Sequence, residues 1–457
     1  MLDNLAPETA KISALQHSFS RRTLKSRHLD LSEGGLPHQN LCGGRIDADK
    51  IPAHNSSCYA PNMSSLDLQT EPNFAPVEDA VGPTSAAEGF GAKLKAIRRE
   101  LREEYLQPHT KPWIIGFSGG KDSTLLAHLT IECLLAIPAD ERKRPVYLVC
   151  NDTLVESPVF QEFVNHLLTH ISENLESLRI PVEVVRTSPK IEESFWVNLL
   201  GKGYPAPNRT FRWCTDRMKV RPTSKFIREK VSHFGEAVLL LGVRRAESAA
   251  RAANIARHSV KAEGRLSPHA DHKGCWIFTP IKDLTTDEVW IALLKSRPPW
   301  GGSYKELIQL YKDAAGGECP FVMSNADAPS CGTSSARFGC WTCTVVVKDN
   351  AIQSLIASGH EHLEPLALYR NRLKEISDNP QFRSKVRRNG EPGLGPITYD
   401  GRKMLLEELL VTQTQIGMQL ISEVEVRLIR EQWLQDKAEE SIRSMEKLSE
   451  MVENQAK

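Results

Sequence analysis

Between positions 113 and 241, short apolar runs alternate with longer stretches of helical period. The run Trp113–Phe117 breaks at Gly119-Gly120 and is followed by an apolar-periodic segment over residues 123–137, a pattern that predicts buried strand, tight turn and helix. The same reasoning predicts strands at 146–150, 182–186 and 237–241, with a helix over 159–178 and a charged helix over 93–105 ahead of the first strand. Strands alternating with helices predict an α/β fold with a mostly parallel sheet covered on both faces. Ligands of such sheets bind beyond the carboxyl ends of the strands. The polar clusters Ser118–Ser123, Asn151-Asp152-Thr153 and Gly242-Val243-Arg244-Arg245 all fall at predicted strand ends.

The flanks read differently. Residues 1–88 carry glycine pairs, scattered Pro and Asn and few periodic apolar positions, so a disordered extension is expected there. Cys42 and Cys58 lie in it, without further close ligands. The remaining organisation is an α/β domain over 89–300, a four-cysteine region over 301–350, and a basic loop with a helical extension over 351–457. Leu405, Leu406, Leu409, Leu410, Ile416, Leu420, Val424, Leu428 and Ile429 recur at spacings suited to one stripe on a helix over 404–434. That stripe either docks a partner protein or packs on the chain's own core.

Composition narrows the class only a little. Forty per cent apolar residues in 457 allow a sizeable core, and a net charge of +1 excludes a polybasic protein. No apolar run approaches the roughly 18 residues of a membrane helix, and no secretory h-region is visible. Ten cysteines without an export signal point to thiol or metal chemistry in a reducing compartment, so a cytoplasmic location with no membrane partner is expected.

The chemistry begins at Ser118-Gly119-Gly120-Lys121-Asp122-Ser123. The two glycines let the backbone approach an anion closely, and the helix that follows offers free N–H groups and a favourable dipole. Lys121 adds a point charge; Ser118 and Ser123 add hydroxyls. A Walker A loop is excluded, because Asp122 stands where Ser or Thr is required and Ile115 where the first glycine is required. Thirteen Lys/Arg face four Asp/Glu (216, 229, 236 and 247) over residues 209–261, a local basic surface suited to triphosphate and a nucleic-acid backbone, or else to solvated helix faces. Cys319-x11-Cys331-x8-Cys340-x2-Cys343 places four thiols in Gly-, Ser- and Ala-rich sequence, which suits loops around one metal centre. Spacing alone does not choose between tetrahedral zinc and a [4Fe–4S] cluster.

Ser-Gly-Gly-Lys-Asp-Ser resembles the pyrophosphate (PP) loop of the ATP pyrophosphatases, which cleave ATP between its α and β phosphates. Phe211–Pro222, Gly242–Ser248 with Arg251, and Thr279–Leu284 with Asp287–Trp290, in that order, resemble the phosphoadenylyl-sulfate reductase-like branch of that fold. The intact loop and the missing terminal Glu-Cys-Gly motif depart from true reductases and favour ATP as substrate. Loop, middle segment, four cysteines and the basic tail Arg383–Gly390 together resemble the DndC family, the sulfurtransferases of DNA phosphorothioation. That resemblance implies an adenine-nucleotide α-hydrolase-like fold with an Fe–S insertion, ATP and Mg²⁺ as cofactors, and DNA as substrate. A cysteine desulfurase as sulfur donor and the other subunits of a phosphorothioation complex are the implied partners. It also implies roles. Ser118, Gly119, Gly120, Lys121 and Ser123 would hold the phosphates, with Arg244 beside them; Asp122 would position Mg²⁺, and Asp152 would contact the nucleoside. Cys214 would be a nucleophile or sulfur carrier, its thiolate favoured by Arg212 and Arg217, or else a buried structural cysteine. Cys319, Cys331, Cys340 and Cys343 would ligate a [4Fe–4S] cluster. The rival readings are a tRNA-thiolating enzyme of the PP-loop Fe–S type and a non-catalytic DNA-binding subunit with a vestigial loop.

Overall fold

The computed structural model describes residues 85–259, 262, 264–314 and 338–455. The disorder expected before residue 85, and the positions of Cys319 and Cys331, lie outside the described residues. Ordered structure begins earlier than residue 89, with helix α1 (Ser85–Tyr105). The chain then runs β1 (Trp113–Phe117), α2 (Lys121–Leu135), β2 (Val146–Asn151), α3 (Pro158–Ser177), β3 (Val182–Thr187), α4 (Arg221–Phe234), β4 (Ala237–Leu241) and α5 (Ala249–Ser259). After β5 (Ser267–Pro268) and β6 (Cys275–Phe278) it is helical: α6 (Thr286–Lys295), α7 (Lys305–Ala314), α8 (Asn350–Ala357), α9 (Glu364–Asp378), α10 (Tyr399–Ile416) and α11 (Glu423–Gln455).

The six strands form one sheet in the order β3-β2-β1-β4-β6-β5. All pairings are parallel except the edge strand β5, which runs against β6. β5 and β6 escape the sequence reading because they are too short to show a period. β1 is buried on both faces, and its residues alternate between two apolar clusters as a strand requires. Ile114 packs with Tyr147, Val149, Leu239 and Phe226 of α4, while Trp113 and Ile115 pack with the α2 residues on the other side. The chain leaves β1 for β2 on one side and returns to β4 on the other. The strand order therefore reverses between β1 and β4, where open α/β sheets form a ligand crevice.

The C-terminal stripe belongs to the protein's own core. Gly417, in the left-handed region at φ 65°, ends α10 and splits the expected 404–434 helix in two. Leu405, Leu406, Leu409, Leu420 and Ile429 are buried. Trp196 donates to the Leu420 carbonyl at 2.7 Å, and Trp433 of α11 to the Leu200 carbonyl at 2.7 Å, fastening the layer to the segment before α4. Val424 of the stripe is exposed, as are Leu434 and, on the last turns of α11, Ile442, Met445, Leu448, Met451 and Val452.

Candidate functional site: a phosphate loop beside a thiol corner

The loop after β1 is closed upon itself. Gly119 sits at φ +73°, and a Cβ there would lie 2.4 Å from Val164 Cγ2, so both conformation and space demand glycine. Ser123 Oγ accepts from the Ser118 amide at 3.1 Å and donates to the Gly120 carbonyl at 3.0 Å, which fixes the turn. Gly242 at the end of β4 approaches the start of α2 so closely that a Cβ would meet the Asp122 carbonyl oxygen at 3.0 Å. Asp122 Oδ1 accepts from Arg244 Nε at 2.7 Å, and Oδ2 lies 3.1 Å from Lys121 Nζ.

Arg244 is 1% exposed and also donates to the Leu284 carbonyl and Thr286 Oγ1. Its guanidinium therefore anchors Asp122. Neither oxygen of Asp122 is left without a cation, so the carboxylate as placed does not fit a Mg²⁺ ion unless Lys121 moves away. Sequence reading missed Tyr311 of α7, whose hydroxyl accepts from the Lys121 amide at 3.2 Å and whose ring lies 5.6 Å below the Lys121 ammonium. Its signal was weak: one aromatic at a core spacing, 190 residues away from the loop.

These groups line a cleft of about 490 Å³ at the β1/β4 reversal, within the usual size of small-molecule sites. Ser118, Gly120, Lys121, Asp122, Ser123 and Asp152 border it, with Arg186, Arg251 and Phe338 opposite; Gly119 and Arg244 stand behind the lining. Asp152 uses one oxygen to accept from the Leu154 amide at 2.8 Å, holding Leu154 in a left-handed conformation. Another cleft, of about 430 Å³, lies across α2 between α3 and the Trp300–Tyr304 turn; Thr124 alone of the loop-helix start reaches it.

The second wall of the 490 Å³ cleft carries sulfur. Glu156 and Lys219 both border it, and Glu156 forms a backbone bridge with Cys340. Thr153 Oγ1 bonds Glu156 at 2.8 Å and lies 3.4 Å from Cys340 Sγ. Cys340 and Cys343 share one tight turn, closed by the Cys343 amide on the Cys340 carbonyl at 3.0 Å. Cys214 stands at the start of a π-helical turn, Thr215–Val220, that runs straight into α4; such turns recur at functional sites.

Burial and the neighbouring Cys343 push the Cys214 thiol up. Burial, with Glu156 beside it, pushes Cys340 up to about 12. The expectation that Arg212 and Arg217 stabilise a Cys214 thiolate is thus corrected. Arg217 is turned away onto Glu193 at 3.1 Å and the Tyr204 hydroxyl at 3.0 Å, and Arg212 is exposed. Burial works against the Lys219 charge too, but Cys340, Glu156, Cys214 and Cys343 together outweigh it and raise its pKa.

The structure brings Cys214 to the Cys-x2-Cys turn, a meeting that the sequence did not disclose. Among the described residues no three His, Cys, Asp or Glu side chains converge closely enough to hold a single ion. Cys214, Cys340 and Cys343 are nonetheless near enough to feel one another's charge. A multi-iron cluster, whose cysteines bind different irons, tolerates that wider spacing, so this donor set fits a cluster better than one zinc.

Sheet order, glycine-built loop and crevice define a PP-loop, adenine-nucleotide hydrolase-like domain. The phosphoadenosine phosphosulfate reductase domain profile matches residues 112–346, and the chain belongs to that family. An uncharacterized protein of Methanocaldococcus jannaschii is 28% identical over 196 residues, 43% of this chain; the match spans about a third of that relative's length, 34%. Among solved structures, phosphoadenylyl-sulfate reductase from Candida auris in a phosphate complex is 14% identical, over 47% of this chain and 88% of that one, at a TM-score of 0.29. The U34-tRNA thiolase NcsA from Methanococcus maripaludis with its [4Fe-4S] cluster is 16% identical, over 62% and 80%, at 0.28. FMN adenylyltransferase from Candida glabrata with FMN and an ATP analog is 14% identical, over 47% and 61%, at 0.30.

Proposed function

We propose that the chain is an ATP-dependent sulfurtransferase that replaces a non-bridging oxygen of a DNA backbone phosphate with sulfur. The observation that carries this reading is the shared wall: Glu156 and Lys219 border both the phosphate-loop cleft and the Cys214–Cys340–Cys343 corner. In this reading nucleotide activation and sulfur delivery would adjoin. A phosphate oxygen of the DNA attacks the α-phosphorus of ATP, and pyrophosphate leaves against Lys121 and the loop amides, the electrostatic part of catalysis. Hydrosulfide then attacks the adenylylated DNA phosphorus, and AMP departs with the former oxygen. A persulfide donor would need a two-electron reductant to release that sulfur.

Cys340 and Cys343, with Cys214 beside them and Cys319 and Cys331 as the remaining candidates, would hold a [4Fe–4S] cluster. Such a group supplies redox-active, sulfur-ligated iron. This chain's own residues would protonate and orient around it: Lys219 offers the nearest ammonium, and Glu156 holds the turn through Thr153. Arg244 orders Asp122, which in turn positions Lys121. Asp152 and Arg186 remain for the nucleoside end. The partners of this reading are DNA, a cysteine desulfurase and further subunits that present the substrate.

Anaerobically purified protein, given ATP, a cysteine desulfurase with cysteine, and either DNA or tRNA, tests it. Pyrophosphate release with phosphorothioate linkages in digested DNA is expected. Thiolated nucleosides in tRNA with unmodified DNA would replace this reading by tRNA thiolation. Cys340→Ala should lose bound iron and its visible absorbance; a colourless wild-type protein with one tightly held zinc would end the cluster assignment.

A further inference from the structure

Outside the cleft, a basic and aromatic surface is assembled from two distant parts of the chain. Asn208 Oδ1 accepts from the Thr210 amide at 3.0 Å, the Thr210 hydroxyl at 2.9 Å and the Phe211 amide at 2.8 Å. That tight turn lifts Arg209 and Phe211 into solvent; Phe211 is 42% exposed. Its inner face is backed by Tyr204, nearly parallel at 10° with ring centroids 6.1 Å apart. Residues 384–395 form a hairpin, bridged between Val386 and Pro392 and turned at Gly390. Arg383 fixes its base by donating to the Gly395, Ser377 and Leu394 carbonyls.

From the tip Arg388 lies over the Tyr204 ring at 4.7 Å and donates to the Lys202 carbonyl. Lys385 and Arg387 stand exposed beside it. Among the described residues, Arg209, Arg212, Lys385, Arg387 and Arg388 form no ion pair, whereas the neighbouring Arg217 and Arg221 both spend theirs on Glu193. Unpaired cations crowded around an exposed ring are poor structural economy. They are what a polyanion with flat bases requires: base stacking on an aromatic ring and Lys/Arg against phosphates. The platform also joins the thiol corner, because Phe211 is three residues before Cys214. Thr344, next to Cys343, donates to the Pro207 carbonyl at 2.6 Å, just ahead of the Asn208 turn.

We infer that this surface binds a DNA strand with one base out of its stack, that base lying on Phe211 and its flanking phosphates against Arg209, Arg212, Arg387 and Arg388. The identity of the strand rests on the sulfur-transfer reading above. The arrangement leads the backbone toward Cys214 and the Cys340–Cys343 turn. A duplex offers no free base face, so single-stranded or locally opened DNA is preferred.

The test is fluorescence anisotropy of the full chain with labelled single-stranded DNA, duplex DNA and RNA oligonucleotides across a salt series, alongside pyrophosphate release. Phe211→Ala should weaken single-stranded DNA binding about tenfold, in the range of one lost base stack, and Phe211→Trp should restore it. Arg387→Ala with Arg388→Ala should lower the slope of log affinity against log salt by roughly one to two. ATP binding without DNA, and the melting temperature, should be unchanged in all of them. Binding indifferent to Phe211 and to the arginines, preference for RNA, or no nucleic-acid binding at all each overturns the inference. Phe211-dependent binding with no sulfur in the DNA leaves the platform standing and removes the sulfur-transfer reading. Equal phosphorothioate yield from wild type and Phe211→Ala removes the platform and leaves that reading.

Discussion

The two walls of the cleft are built on opposite electrostatic principles. At the phosphate loop every charge has a counter-charge: Lys121 and Arg244 face the two oxygens of Asp122. The hydroxyl of Ser123 is likewise occupied inside the turn. That wall is preorganised by pairing. At the thiol corner burial holds Cys214 and Cys340 neutral, with their pKa values raised. Such thiols are poor nucleophiles as they stand. Binding a metal deprotonates them, which is how buried cysteines become ligands. One wall holds its charges already paired; the other stays neutral as it stands.

The largest effect should come from unbalancing the paired wall. Asp122→Ala leaves the Arg244 guanidinium, 1% exposed, as an uncompensated buried charge, and about 3–5 kcal/mol of stability should be lost in urea unfolding. A loss under about 1 kcal/mol would mean that the pair behaves as a solvent-screened one, and the contrast would collapse. Next, Lys121→Ala should lower the rate of pyrophosphate release about 10²- to 10³-fold, the scale of one missing charge-stabilising donor, while the melting temperature stays put. Normal turnover, or an unfolded variant, would strip Lys121 of its phosphate role.

Neutrality by burial can be examined separately on the far side of α2. Burial lowers the pKa of His128 to about 4, and its ring bonds the Tyr304 hydroxyl at 2.7 Å. The unfolded chain takes up this proton near pH 6.5 and the folded one only near 4. Stability is therefore complete above about 6.5 and falls as pH drops through that window, by on the order of 3 kcal/mol. His128→Gln should flatten that acid limb; an unchanged limb assigns it to other groups. The smallest effect is a difference in labelling. Burial pushes Cys133, Cys150 and Cys275 to about 12, so iodoacetamide at pH 8 should spare all three in the native protein and modify the half-buried Cys343 before any of them. Early modification of Cys150 would show the sheet opening at the cleft.

Much of the paired wall was legible in the sequence because it is local. Gly119, Lys121 and Asp122 act within one strand–turn–helix, and the apolar periods that surround them are long enough to read. The thiol wall was legible only in part. Cys340-x2-Cys343 announces itself, but the approach of Cys214 depends on how the π-helical turn after it is set against a segment more than 120 positions later, and spacing carries no such information. Arg244 was singled out for the right neighbourhood, yet its burial behind Asp122 follows from Leu284 and Thr286, which no motif connects to it. The pair β5 and β6 was invisible because strands of two and four residues are too short to show a period. The C-terminal stripe left its cover open because an amphipathic pattern cannot say whether that cover is another chain or its own.

Tyr311 gives the phosphate loop a property that its motif does not contain. Its hydroxyl already occupies the Lys121 amide, so an anion entering the loop does not find that donor waiting; it trades places with a phenol. Occupancy of the loop is an exchange, and the affinity measured for a nucleotide is the difference between two hydrogen bonds, each net about 1 kcal/mol. The displaced ring belongs to α7, which leads directly into the segment carrying Cys319 and Cys331.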